Sequence, residues 1–100
     1  MEDSLTVEID SEVQSIVPEF LENRKKDCLL ISSLLEINSF SEIRILAHRM
    51  KGSGGSYGFD DISEIGEVME EAALNEDNEA IRNQVLQLSR YLERVTVVYV

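Results

Sequence analysis

The sequence has little of several residue types that often mark a function. Its 100 residues include one cysteine, one proline, one histidine and no tryptophan. One cysteine cannot form an internal disulfide, so a reducing compartment is expected, and with it a cytoplasmic location. One cysteine and one histidine do not make a metal ligand set, so we expect no metal site. The chain also has no linker rich in proline, glycine or serine, which agrees with a single domain over residues 1–100.

Signals for membranes and targeting are missing as well. No apolar run approaches the ~20 residues that a membrane-spanning helix needs. The start of the chain, residues 1–4, is acidic and polar. It therefore lacks the basic and apolar segments of a signal or transit peptide, and we expect none.

Basic residues are scarce relative to acidic ones. Nine lysines and arginines stand against twenty aspartates and glutamates, which gives a formal net charge of −11. Nucleic acids and anionic membranes both require a basic face, so neither is an expected partner. Apolar residues make up 43 % of the chain, enough for the core of one small domain. Two classes of function remain, a binding or relay module and a small enzyme with a minimal site.

The acidic residues avoid one window of the chain. Between Ile43 and Phe59 there is no aspartate or glutamate, although acids make up a fifth of the sequence. The same window holds Arg44, Arg49 and Lys51. A locally basic segment in an acidic chain is where a small anion or an acidic partner surface is tolerated.

Helical periodicity extends over nearly the whole chain. A short opening helix begins at the capping box Ser11-x-x-Gln14, and Pro18 restarts the chain as a helix that ends near Glu36. Ser39-x-x-Glu42 is a second capping box, and Gly58 ends the helix that it opens. Two further helices follow, the first capped by Asp60 or Asp61 and the second after a turn at residues 75–78.

The four long helices and their short connections predict an all-α fold. Helices joined by short loops are antiparallel neighbours, so we expect an up-and-down four-helix bundle with a core at about residues 10–95. Residues 96–100 are β-branched and aromatic. An isolated strand has no partner, so this tail is expected to be the last helical turn with a frayed end.

The only histidine, His48, is predicted to point to solvent. On a wheel of ~100° per residue it lies roughly 150° from the centre of the apolar stripe of its helix. That stripe contains Ile43, Leu46, Ala47, Met50, Gly54 and Tyr57. Arg44, Lys51 and Gly55 fall on the same side as His48.

Three glycines follow the histidine inside the predicted helix. Each costs ~1 kcal/mol relative to alanine in a helix interior, so a role is expected for them. Gly54 falls on the core stripe, where it permits close packing of helices. Gly52 and Gly55 fall beside His48 on the exposed face, where small residues leave the imidazole open to a bulky partner.

An exposed imidazole in its neutral form offers a nucleophilic nitrogen. Arg44 and Lys51 favour the neutral, nucleophilic form and would stabilise a phosphoryl group once it is attached. A hydrolase needs an orienting acid as well, and the window supplies none. The pattern therefore favours a residue that is acted upon by a partner's site. The acidic cluster Glu67, Glu70 and Glu71 is interpreted as solvated helix surface.

Residues 48–59, HRMKGSGGSYGF, resemble the signature of histidine-containing phosphotransfer (HPt) domains. The family pattern is a histidine, a variable residue, Leu or Met, Lys, Gly and two small residues, followed after a short gap by a hydrophobic residue and glycine. Every element is present here. Segments 18–24 and 62–66 are also similar to the flanking helices of that family, so the resemblance covers about residues 10–95.

The resemblance implies a carrier in two-component signalling. His48 would accept a phosphoryl group from an aspartate of a receiver domain, or from a histidine kinase, and donate it to a receiver aspartate. Lys51 would stabilise the phosphoryl oxygens, and the receiver would supply Mg²⁺, so no cofactor of the chain's own is implied. The docking surface would contain Arg44, Ile45, Arg49, Gly52 and Gly55. No ATP-binding motif is present, so the implied module is not an enzyme.

Alternatives remain at this point. The chain is either such a carrier or a non-catalytic adaptor that docks a receiver or another acidic partner without carrying phosphate. A third possibility, a small enzyme with His48 as general base, requires an acid from another helix beside that residue. Polar helix faces suggest a monomer, and the initial methionine favours a free-standing protein over a piece of a larger kinase.

Overall fold

The computed structural model of the protein describes residues 4–100. Most of the acidic start, in which no targeting peptide is expected, lies outside them. The described elements follow in the order β1 (Leu5–Ile9), a 3₁₀ turn (Ser11–Val13), α1 (Val17–Glu36), α2 (Phe40–Ser56), α3 (Asp60–Leu74), α4 (Asn78–Arg94) and β2 (Val95–Tyr99). Each long helix packs against two others, in the cyclic order α1, α2, α3, α4. The predicted four-helix bundle is thereby confirmed.

The three turns between the helices are built alike. Each contains one residue with positive φ, Asn38 at 55°, Gly58 at 89° and Glu76 at 53°. The next residue's N–H then donates back across the helix end, from Ser39 to Leu34 O at 2.9 Å and likewise in the other two turns. This is the Schellman arrangement, which uses helix-end carbonyls that otherwise lack a partner.

The helix starts differ in part from the predicted caps. Ser39 occupies the N-cap of α2, but its side chain makes no capping hydrogen bond. Phe59, not an aspartate, occupies the N-cap of α3, and Asp60 and Asp61 lie in its first turn. The reason is that each Schellman turn makes its own last residue the N-cap of the next helix. The two aspartates still interact favourably with the positive end of the helix dipole.

The N-terminal segment also differs from its prediction. The expected short helix at Ser11 is a single 3₁₀ turn, and the side chain of Asp10 caps it by accepting from the N–H of Glu12 at 2.9 Å. Ahead of it lies β1, whose residues Leu5–Ile9 alternate half-buried and exposed side chains and end on the buried Ile9.

The expected frayed helix end at residues 96–100 was wrong, because the tail does have a partner. Helix α4 ends at Arg94, and β2 pairs in parallel with β1 in the register Leu5↔Val95 to Ile9↔Tyr99. Val100 extends the ladder: its N–H donates to Ile9 O and its carbonyl accepts from the N–H of Ser11, both at 3.0 Å. The strand pair joins the two ends of the described chain across one end of the bundle.

The core runs along the axis of the bundle and continues under the strand pair. Ile31, Ile43, Ile62, Ile81 and Leu88 are fully buried, and they come from all four helices. Aromatic rings close one end, where Phe20 stacks on Phe59 at 5.4 Å and meets Tyr57 edge-on at 5.1 Å. This packing fixes which face of α2 points outward.

Candidate functional site

His48 lies in the middle of α2 and points to solvent, as the helical wheel predicts. Its side chain is 72 % exposed. The opposite face of α2 is in the core, with Ile43, Ala47 and Met50 buried. Because helix α2 continues to Ser56, the glycines that follow His48 are part of the helix and do not form a loop.

A carboxylate from the next helix contacts the imidazole. Nδ1 of His48 lies 2.8 Å from Oε2 of Glu70, which is on α3 and has a side chain only 24 % exposed. An ionised carboxylate can only accept a hydrogen bond, so it places the proton of a neutral imidazole on Nδ1. Nε2 then carries the lone pair. The acid-free window supplies no carboxylate to His48, but the neighbouring helix does, so the acid that the general-base alternative requires is present.

Lys51 follows His48 by one helical turn and also faces an acid of α3. Its Nζ lies 4.0 Å from Oε2 of Glu67, and the two side chains are 43 % and 65 % exposed. An ion pair this long and this exposed contributes little free energy and constrains the ammonium group weakly. The ammonium group of Lys51 is therefore not held firmly by this pair.

Helices α2 and α3 pack closely along the glycine-containing half of α2. A Cβ atom on Gly54 would lie 2.7 Å from the backbone nitrogen of Ser63, so only glycine permits this spacing. The hydroxyl of Ser63 donates to the carbonyl oxygen of Lys51 at 2.9 Å. The predicted role of Gly54 in close packing is thus confirmed, and α3 is fixed directly against the turn that carries Lys51.

The remaining residues predicted for the site lie on the same outer surface. Exposed positions are Arg44, Ile45, Arg49, Gly52 and Gly55. A Cβ on Gly52 would have no atom within 4 Å, so packing does not require glycine there. On the side toward α1, Ile45 and Arg49 border a shallow depression that Leu30, Leu34 and Leu46 also line.

Comparison with known proteins identifies the family. A family model described as the Hpt domain matches residues 15–96. The chain belongs to the Hpt domain family. Membership implies histidine phosphotransfer in a two-component phosphorelay, with the module acting as a carrier. The comparisons with curated proteins and with solved structures found no match for this chain.

Two further observations bear on this Hpt domain. Among residues 4–100, no helix is long and apolar enough to cross a membrane. Over the same residues, no three histidine, cysteine, aspartate or glutamate side chains are grouped so that they could hold a metal ion.

Glu67 and Glu70 are the site residues of the Hpt domain that sequence reasoning missed. The sequence places both on a solvated helix surface, and Glu67 is indeed exposed. A usable signal was present in Gly66, a small residue on the buried stripe of α3 and one turn before Glu70. A glycine there indicates a close helix crossing, and the acid one turn later falls beside that crossing.

Cys28, the single cysteine of the Hpt domain, is half-buried and free. Burial is the main cause that raises the pKa of its thiol, and the charge of Asp27 adds to the effect. A thiol with a raised pKa is a poor nucleophile at neutral pH, which agrees with its predicted role as a small core residue.

Proposed function

We propose that His48 is the phosphoryl carrier of this domain, accepting the group on Nε2 from a receiver aspartyl phosphate or a histidine kinase and passing it to a receiver aspartate. One observation supports the proposal most strongly. The only histidine of the chain donates from Nδ1 to Glu70 while its side chain remains 72 % exposed. This geometry presents a nucleophilic Nε2 to an incoming protein.

The transfer step balances with the groups present. The Nε2 lone pair attacks the phosphorus of the aspartyl phosphate, an N–P bond forms, and the P–O bond to the aspartate breaks. The electron pair leaves on the carboxylate oxygen of the receiver. The imidazole ring gains positive charge in this step while Nδ1 keeps its proton. The carboxylate of Glu70, 2.8 Å from Nδ1, stabilises that charge.

Lys51 is proposed to bind the oxygens of the transferred phosphoryl group. It lies one turn after His48 on the same helix, and residues three apart are neighbours on a helix surface. Its weak, 4.0 Å pairing with Glu67 leaves the ammonium free to move toward a dianionic group. Lys51 and Glu70 then act on different parts of the same intermediate, the phosphoryl oxygens and the imidazole ring.

The receiver is proposed to dock on the outer face of α2. Arg44 and Arg49 are exposed there and match the acidic pocket and Mg²⁺-binding carboxylates that a receiver brings. Ile45 is 47 % exposed between them and adds apolar surface. Gly52, with open space around its Cα, allows a protein surface to approach the imidazole.

A direct test uses receivers charged with a small phosphodonor in the presence of Mg²⁺ and then mixed with this domain. Wild type is expected to gain an acid-labile phosphoryl label, and His48→Gln is expected to gain none. A matched control, Arg82→Ala on α4, is expected to behave as wild type, because α4 packs against α1 and α3 and not beside α2.

Two outcomes would contradict the proposal. Label on His48→Gln would move the phosphorylation site elsewhere. Receivers that bind wild type and His48→Ala equally well and transfer no phosphoryl group would establish an adaptor.

A further inference from the structure

Gly66, a buried glycine of α3, lies between the two helices of the candidate site. A Cβ atom at this position would lie 2.6 Å from the backbone nitrogen of Lys51 and 2.8 Å from the carbonyl oxygen of Ala47. Its third neighbour, the Cα of Lys51, would be at 3.0 Å. All three are backbone atoms of α2. They cannot rotate away as a flexible side chain does, so the spacing of the helices depends on the absence of a side chain here.

Gly66 also lies next to the contact between His48 and Glu70 along both helices. The α2 residues that it touches are the one before His48 and the one three after it. On α3, Gly66 precedes Glu70 by four residues, so both lie on the same face of that helix. The close backbone approach at Gly66 and the 2.8 Å contact are therefore one helical turn apart.

We propose that Gly66 is a positioning residue: it holds α3 close enough to α2 for Glu70 to reach Nδ1 of His48 and so to keep Nε2 free for phosphorylation. An alanine Cβ needs about 3.4 Å to a backbone atom, which is 0.8 Å more than the 2.6 Å available. If α3 moved away from α2 by that distance, the 2.8 Å contact between Nδ1 of His48 and Oε2 of Glu70 would lengthen beyond ~3.2 Å, the upper limit for a hydrogen bond of good geometry. The inference rests on the proposed function of His48, which it explains at the level of helix spacing.

Gly54 provides a matched control in the same pair of helices. Its added Cβ would also meet backbone, at 2.7 Å from the nitrogen of Ser63, so the steric conflict is nearly equal. Gly54 lies six residues beyond His48, toward the end of α2. Gly54→Ala should therefore destabilise the bundle about as much as Gly66→Ala. The separation that it causes between α2 and α3 should be near the end of α2, away from Glu70.

The experiment measures the ring directly and needs no protein partner. Long-range ¹H–¹⁵N spectra of the His48 imidazole report which nitrogen carries the proton, and phosphoramidate, a small phosphodonor, reports the reactivity of Nε2. Gly66→Ala is expected to lose the single Nδ1–H form and to be phosphorylated roughly tenfold more slowly, as is Glu70→Ala, because each loses a charge-assisted hydrogen bond. Gly54→Ala is expected to keep both properties at a temperature where it is folded.

A double substitution separates positioning from general damage. If Gly66 acts through Glu70, adding Gly66→Ala to Glu70→Ala causes no further loss of phosphorylation rate. An additive loss would overturn the inference, and so would a Gly66→Ala variant that keeps the wild-type tautomer. If Gly66→Ala does not fold, Glu70→Asp tests the same spacing, because its carboxylate is one methylene shorter. Glu70→Asp should then behave like Glu70→Ala, and wild-type behaviour would refute the inference.

These readouts separate failure of the inference from failure of the proposed function. If charged receivers transfer nothing to wild type, the carrier function fails, whereas the tautomer of His48 still reports on Gly66. If wild type accepts phosphoryl groups and Gly66→Ala matches Gly54→Ala in every measurement, only the inference about Gly66 fails.

Discussion

Glu70 on α3 contacts Nδ1 of His48 on α2 at 2.8 Å, so the two nitrogens of the only histidine have different surroundings. Nδ1 is hydrogen-bonded to Glu70, whereas Nε2 has no such partner among residues 4–100, and the side chain as a whole is 72 % exposed. A site of this kind suits a residue that receives a group from outside. It also means that α3, and not the histidine's own helix, supplies the carboxylate that contacts the imidazole ring.

Substitution of Lys51 tests the binding of the phosphoryl oxygens. Lys51→Ala is expected to slow transfer from a charged receiver by roughly tenfold or more, because a charge-assisted contact to the phosphoryl group is lost. Lys51→Arg should retain part of the rate, since it keeps the positive charge. Glu67→Ala serves as the control and should not slow transfer, because the 4.0 Å pair with Lys51 is exposed. Equal rates for Lys51→Ala and wild type would remove this residue from the site.

Substitution of Gly52 tests the open approach to the imidazole. Gly52→Ala places a Cβ in empty space and should stabilise the helix by about 1 kcal/mol, measured by denaturant unfolding. Gly52→Leu should block a receiver while phosphoramidate, which is small, still labels His48. Asn83→Leu adds the same bulk on exposed α4 and is the control. Normal receiver transfer to Gly52→Leu would show that the glycine does not keep the approach clear.

The helices and the exposed position of His48 on α2 could be predicted from the sequence, whereas the contacts between elements could not. Periodicity places Ile43, Ala47 and Met50 in the core and therefore His48 outside it, since that conclusion needs only one helix. The partner of His48 depends on how α3 is shifted along α2, which close backbone packing decides. The apolar periodicity of the two helices does not encode that shift. The small residue Gly66 on the buried stripe of α3 marks the crossing, but periodicity alone does not find Glu70.

The same reason explains the missed strand pair. Leu5 and Val95 are ninety positions apart, and neither segment has a hairpin partner nearby. A strand of five residues is stable only when it pairs with a neighbour, so its sequence without that neighbour does not predict it. The β-branched tail continues the apolar spacing of α4, so the sequence alone predicts a last helical turn there.

The strand pair should contribute to stability without taking part in transfer. Ile9 is 1 % exposed and belongs to the core cluster. Ile9→Ala is expected to lower the free energy of unfolding by about 2–5 kcal/mol, as for other buried isoleucines. Thr6→Ala, on the exposed face of the same strand, is the control for urea unfolding. At a temperature where Ile9→Ala is folded, its rate of labelling by phosphoramidate should match wild type. Equal unfolding free energies for the two variants would contradict the packing described for β1.

Tyr91 should make the fold sensitive to alkaline pH. Burial, with smaller contributions from the charges of Asp61 and Asp60, raises the pKa of this phenol to about 12. In the unfolded chain its pKa is ~10. The folded state thus holds the proton more tightly, and the free energy of unfolding should fall as pH rises from about 10 to about 12. Tyr91→Phe should remove that part of the pH dependence, measured by denaturant unfolding at several pH values. If the free energy of unfolding of Tyr91→Phe falls with pH as steeply as that of wild type, Tyr91 is not the cause of the alkaline sensitivity.

The central claim concerns the atom that carries the phosphoryl group. The most direct measurement is ³¹P and ¹⁵N NMR of the ¹⁵N-histidine-labelled domain after transfer from a charged receiver, because it distinguishes the two isomers of phosphohistidine. With Nδ1 held by Glu70 at 2.8 Å, the account predicts one product, phosphorylated on Nε2 of His48. Phosphorylation on Nδ1, or receiver turnover with no phosphohistidine formed, would contradict it.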